Sequence, residues 1–96
     1  MIRRRLFKFR LFVAGHATNS LKAVANLKAL CTQYLPDQYE IEIVDVHLAP
    51  KRAMSEGVLM TPTLIKIAPG PDCRIVGTLS QTPIVLQMLG LEPSIV

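Results

Sequence analysis

The residues of this chain best suited to chemistry are Cys31 and Cys73, His16 and His47, with Ser20 and Asp45 to consider beside them. The cysteines lie 42 positions apart, with no CxxC pair and no partnered histidine cluster. That spacing fits neither a zinc site nor a dithiol redox motif. It is the pattern of two buried or half-buried free thiols. A reactive thiol belongs at the amino end of a helix, where the dipole and free N–H groups lower its pKa. The loop Ala14 to Ser20 ahead of the first helix has no cysteine, and Cys31 falls late in that helix, where a thiolate is disfavoured. His16 and His47 both follow strands and could meet at one end of a sheet. Without a carboxylate or thiolate beside them they make a poor metal site. Ser20 with a histidine is no triad without positioned partners. Asp45 is either a solvent-face residue or a partly buried acid satisfied by backbone N–H groups. No glycine-rich phosphate loop is present. This set does not argue for an enzyme, and neither cofactor nor metal is expected.

Those residues must be positioned by one domain. Half of the 96 residues are hydrophobic and 19% are charged, the composition of a globular chain with one modest core. Residues 1–96 are expected to form a single domain, with a basic amino-terminal tail at 1–5 and a short tail at 92–96. No apolar run approaches the roughly 20 residues that cross a bilayer. The basic start followed by Leu6 to Gly15 suggests a signal peptide, but Lys8 and Arg10 interrupt it and its alternation is that of a strand. A cytoplasmic location is therefore expected. The net charge of +4 admits nucleic acid or an acidic protein face as partner. Only five aromatic residues are present, and no basic stripe interleaves with them, so nucleic acid is not expected.

Leu6 to Val13 alternates apolar and charged residues and then turns continuously apolar, predicting a strand that enters the middle of a sheet. Thr18, Asn19 and Ser20 offer N-caps for a helix. Leu21, Val24, Ala25, Leu27, Leu30 and Cys31 recur at helical spacing, and Pro36 ends the helix near Tyr34. Tyr39 to Val46 predicts a second strand, one face polar and one buried. Lys51 to Gly57 predicts a weak helix with a glycine stop. Leu64 to Ala68 and Cys73 to Gly77 predict a hairpin around Pro69-Gly70-Pro71-Asp72. Ser80 can cap a last helix with Pro83 in its first turn, Ile84, Val85, Met88 and Leu89 on its inner face, and Gly90 at its stop. The order is βαβαββα, an α/β chain with a parallel pair, an antiparallel hairpin and helices on both faces. That is a thioredoxin-like arrangement.

Thr61-Pro62-Thr63 stands at the entry to the third strand. Proline fixes its own φ and donates nothing to a sheet, so it marks an entry and not an interior position. Two readings stay open for Pro62: an ordinary trans-proline at a strand edge, or the cis-proline common at this place in thioredoxin-like folds.

In sequence, the chain resembles the KaiB family of small clock proteins from about Leu11 to Leu91. The resemblance rests on Leu11-Phe12-Val13-Ala14-Gly15 with Asn19-Ser20, Ala23 and Leu27, then on Ile43-Val44-Asp45-Val46 with Pro50. It continues through Thr61-Pro62-Thr63-Leu64 with Lys66, Pro69 and Pro71, and through Arg74-Ile75-Val76-Gly77 with Leu79-Ser80. The resemblance implies a non-catalytic binding module that docks on the KaiC ATPase ring, sequesters KaiA and competes with a sensor kinase bearing a similar domain. It also implies a metamorphic chain. A homo-oligomeric ground fold, tetramer or dimer, and a monomeric thioredoxin-like fold would share one sequence, the carboxyl half repacking from near Thr61, Pro62 and Thr63. A trans Pro62 goes with the ground fold and a cis Pro62 with the thioredoxin-like one. Lys22 and the strand face of Glu40 and Glu42 are the implied partner contacts.

The chain departs from the family pattern at several of these places. Glu40 and Glu42 stand where members usually have Ala and Lys, which reverses the local charge of that strand face. His16-Ala17-Thr18 replaces Asn-Thr-Pro, Thr78 replaces an acid, and Met88 and Gly90 replace a Gly and an Asp. Met88 favours helix where a glycine would oppose it, and Gly90 opposes its continuation, terms of ~1 kcal/mol that roughly cancel. The chain also lacks the acidic carboxyl tail of many members. These departures fit a divergent paralogue. Three functions follow: a regulator of a KaiC-type ATPase, a KaiB-like module in stress response with another partner, and a thioredoxin-like redox enzyme. Replacing Cys31 and Cys73 by Ser tests the third.

Overall fold

The computed structural model describes residues 6–91, so the basic run at 3–5 and the tail at 92–96 lie outside the described residues. Seven elements follow in the expected order: β1 (Phe7–Val13), α1 (Thr18–Tyr34), β2 (Tyr39–Asp45), α2 (Pro50–Ser55), β3 (Thr63–Ala68), β4 (Cys73–Val76) and α3 (Thr82–Met88). The strands form one sheet in the order β2-β1-β3-β4. β1 pairs parallel with β2 and antiparallel with β3, and β4 closes the hairpin with β3. This is the thioredoxin-like alternative of the two folds, and the Thr61-Pro62 bond is cis.

The pleat of β1 divides the molecule into two layers. Phe7, Phe9, Leu11 and Val13 point one way and meet Ala23, Leu27, Leu30 and Cys31 of α1 and Val85, Leu86 and Leu89 at the α3 end. Phe12 points the other way and packs with Val44, Ile65 and Ala53 of α2. Successive strand residues face opposite sides, so one continuously apolar strand serves two cores. Full burial of each large apolar side chain contributes about 1.5–3 kcal/mol.

Several expected positions are occupied differently. The α1 N-cap is Ala17, without a side-chain cap bond. Ser20 instead turns inward, 2% exposed, and its Oγ accepts the Ala14 N–H at 3.0 Å. This displaces the buried stripe, and Leu21 is left 52% exposed. Ser80 does not cap α3; Gln81 holds that position, again without a side-chain bond. Ile84 and Met88 face outward, and Leu86 takes the inner place beside Val85. A seven-residue helix that is apolar nearly all round has no contrast from which its inner face can be chosen. β2 is an edge strand with both faces partly open, and Ile43 is 44% exposed.

The two short helices end alike. Gly57 has φ +67° and its N–H donates to the Met54 carbonyl, while the Val58 N–H reaches that of Ala53. Gly90 has φ +76°, its N–H bonded to the Gln87 carbonyl and that of Leu91 to Leu86. Both are paired-bond terminations that need a left-handed residue, which only glycine adopts cheaply.

Candidate functional site

Arg10 of β1, Glu42 of β2, Arg52 of α2 and Glu56 just after α2 are joined in a connected chain of ion pairs on one side of the sheet. Arg10 on β1 stands opposite Glu42 on β2 in the parallel register. Its Nε donates to Glu42 Oε1 at 2.8 Å and its Nη1 to Glu56 Oε1 at 2.6 Å. Arg52 of α2 closes on the same carboxylate with two bonds, to Oε2 at 2.8 Å and to Oε1 at 3.0 Å. Arg74 on β4 donates to the main-chain oxygen of Glu56. Glu42 is thus not an open acid that reverses the charge of its face: two guanidinium groups neutralise it. Glu40, opposite Lys8, is exposed and has no ion pair among the described residues.

The arginines, Arg52 first and then Arg10, pull the Glu42 carboxyl down to about 2. A depressed carboxyl pKa adds stability above the unfolded value near 4.5, and that stability is lost as pH falls towards 2. The Glu42 side chain is 47% exposed, so solvent screening holds the contribution to about 1 kcal/mol or less. Glu42→Gln is expected to lower the urea midpoint at neutral pH, and the two midpoints should converge near pH 2. A difference that persists in acid would show that the charge is not its origin.

On the opposite side of the sheet, Lys66 is buried at 6% exposure. Its Nζ donates to the Leu89 carbonyl at 3.3 Å, and the Cys73 thiol donates to that of Met88 at the same distance. Both bonds satisfy carbonyls at the end of α3, where a helix leaves acceptors unpaired and where a cation is favoured. Lys66 shares a face with Leu64, so a lysine inside Leu64-Ile65-Lys66-Ile67 is the sequence signal that could have marked this tether.

The remaining candidates separate. Cys31 is fully buried and its thiol is pushed up to about 12 by desolvation, which keeps it protonated and unreactive. Asp45 is the acid satisfied by main chain: its Oδ1 accepts the N–H of Gly15 at 3.2 Å and of His47 at 2.9 Å. His16 and His47 are exposed, and among the described residues no cluster of three His, Cys, Asp or Glu side chains is placed to hold a metal. Lys22 is exposed on α1, far along the sequence from Glu40 and Glu42. Thr63 donates its hydroxyl to the Met60 carbonyl at 2.5 Å beside Pro62. Met88 is 45% exposed, and Gly90 makes the α3 stop. Among the described residues no helix is long and apolar enough to cross a membrane.

Comparison with known proteins adds the following. The family model described as the KaiB domain matches residues 10–91. The circadian clock protein KaiB3 of Synechocystis is 44% identical over 84 residues, 88% of this chain and 82% of that protein. The circadian clock oscillator protein KaiB of Prochlorococcus marinus subsp. pastoris is 37% identical over 92 residues, 96% and 84% of the two chains. The amino-terminal domain of Synechococcus elongatus SasA superposes with a TM-score of 0.73 at 19% identity, over all of this chain and 94% of that one. Mitochondrial thioredoxin 3 of Saccharomyces cerevisiae gives 0.70 at 20% identity, over 88% and 78%.

Proposed function

This chain belongs to the KaiB family, and on that premise we propose that it has a KaiB-type clock role as a non-catalytic protein-binding regulator docking on a KaiC-like ATPase. The match of the KaiB domain to residues 10–91 carries the proposal. Lys22 on α1 and the β2 edge with Glu40 supply its contact surface, both being exposed. Glu42 serves that surface indirectly, by holding Arg10 and Arg52 in place. KaiA or a sensor kinase is the second partner class. A cytoplasmic homo-oligomer, tetramer or dimer, with a repacked carboxyl half completes the proposal. Its balance with the thioredoxin-like fold would be set at Thr61, Pro62 and Thr63 and at Met88 and Gly90.

Gel filtration with a purified KaiC-type ring is expected to give a co-migrating complex. The double variant Lys22→Glu, Glu40→Lys should weaken it at least about tenfold, since charges placed against a complementary face cost affinity. If none of the KaiC homologues of the source organism forms a complex, the KaiC reading fails. A second reading, a KaiB-like module with a different partner, as in stress response, is motivated by the exposed Glu40 standing where the family pattern has Ala. An intact rhythm with a stress phenotype after gene deletion would select it.

A further inference from the structure

Two cavities, of about 240 and 220 Å³, open on either side of the loop between α2 and β3. Leu59 and Met60 line both, yet they are 95% and 63% exposed. The first cavity continues to Val76, itself 55% exposed, and to Arg74; the second continues to Val46 and His47. Single exposed apolar residues are ordinary on a surface, but a group of them around two concavities marks a contact site.

The charge of the site is one-sided. Among the described residues, no carboxylate lines either cavity. Arg74 has no carboxylate partner among the described residues, because the Glu56 carboxylate is engaged by Arg10 while Arg74 takes only its main-chain oxygen. Asp45, beside His47, is occupied by main-chain N–H groups. The backbone is open as well. Among the described residues, no main-chain hydrogen bond outside helices and strands uses the N–H or C=O of Leu59 or Thr61.

We propose that this loop is a docking site for an extended acidic segment of a partner protein. Its apolar side chain enters the cavity beside Val76, a carboxylate meets Arg74, and its main chain pairs with the free groups of Leu59 and Thr61. Such pairing gives affinity through backbone bonds and specificity through side-chain pockets. The site is separate from Lys22 and Glu40, so it stands whether or not the chain meets an ATPase ring there.

Fluorescence anisotropy with the labelled peptide Gly-Asp-Leu-Asp-Leu-Asp-Gly, and with its counterpart carrying Lys for Asp, tests the proposal. The acidic peptide is expected to bind and the basic one not. The double variant Leu59→Ser, Met60→Ser should weaken binding at least about fivefold. Its circular dichroism should be unchanged, because both residues are already in water. Arg74→Glu should lose the acidic peptide and gain the basic one. Equal binding of the two peptides, binding unaffected by either variant, or no saturable binding would each overturn the proposal. So would self-association abolished by the Leu59, Met60 variant, which would assign the surface to a second copy of the chain.

Discussion

Replacing Phe12 with alanine is expected to destabilise the protein by about 3–5 kcal/mol, the range for removing a buried aromatic ring and leaving a cavity. Phe12 is fully buried and is the one aromatic ring in a core that otherwise consists of Val44, Ala53 and Ile65, with Val46, Ala49, Val58 and Ile67 around it. So small a layer cannot close over the lost volume. α2 has six residues and touches the sheet through Ala53, so it should lose protection before the rest. Hydrogen exchange resolved by residue should show the amides of 53–58 opening first, with those of α1 unchanged relative to global unfolding. The exposed Leu21→Ala is the control, expected within about 0.5 kcal/mol of the parent. A Phe12→Ala loss no larger than that control would mean that the second layer contributes little.

Lys66→Met is expected to cost about 1–3 kcal/mol, the penalty for leaving a buried acceptor without its donor. Methionine keeps most of the aliphatic stem, so the change isolates the ammonium. The Leu89 carbonyl would lose its bond from Nζ, and the end of α3 would lose the cation that its dipole favours. Lys66→Ala should cost more, because it adds a cavity beneath α3. Urea midpoints order the two variants, and exchange at Leu89 to Leu91 locates the defect. A Lys66→Met protein as stable as the parent would show that water satisfies Leu89 equally well.

Element sequence and the central place of β1 were legible because they rest on periodicity and on proline and glycine punctuation. Phe12 and Val13 after the alternating Leu6 to Arg10 announce a strand with one exposed end that enters the middle of a sheet, which is what β1 is. What was not legible depends on pairs distant in sequence. From sequence the Glu42 carboxylate reads as an open acid, because nothing local to β2 shows that Arg10 and Arg52 converge on it. Only the register of β1 against β2 and the placement of α2 bring three elements to one carboxylate. Ser20 reads as one of three cap candidates, with Thr18 and Asn19, because serine before an apolar run commonly is a cap. Its place inside follows from the Ala14 N–H, a partner that appears only when the loop folds back over the helix start. The exposure of Leu59 and Met60 was likewise invisible, since an apolar pair ahead of a strand resembles core.

The position of β1 has a consequence for synthesis on the ribosome. Its two partners lie far apart in the chain: β2 ends at Asp45 and β3 begins at Thr63. At about 5–20 residues per second, the intervening segment takes on the order of 1–4 s to emerge. For that interval β1 and β2 can pair and α1 can cover one side, while the other edge of β1 has no strand to accept its hydrogen bonds. An unpaired apolar edge is a template for association with other nascent chains. The order of the elements therefore places the period of greatest aggregation risk before the Thr-Pro-Thr entry has emerged from the ribosome, and a chaperone that shields a strand edge would act on this chain then.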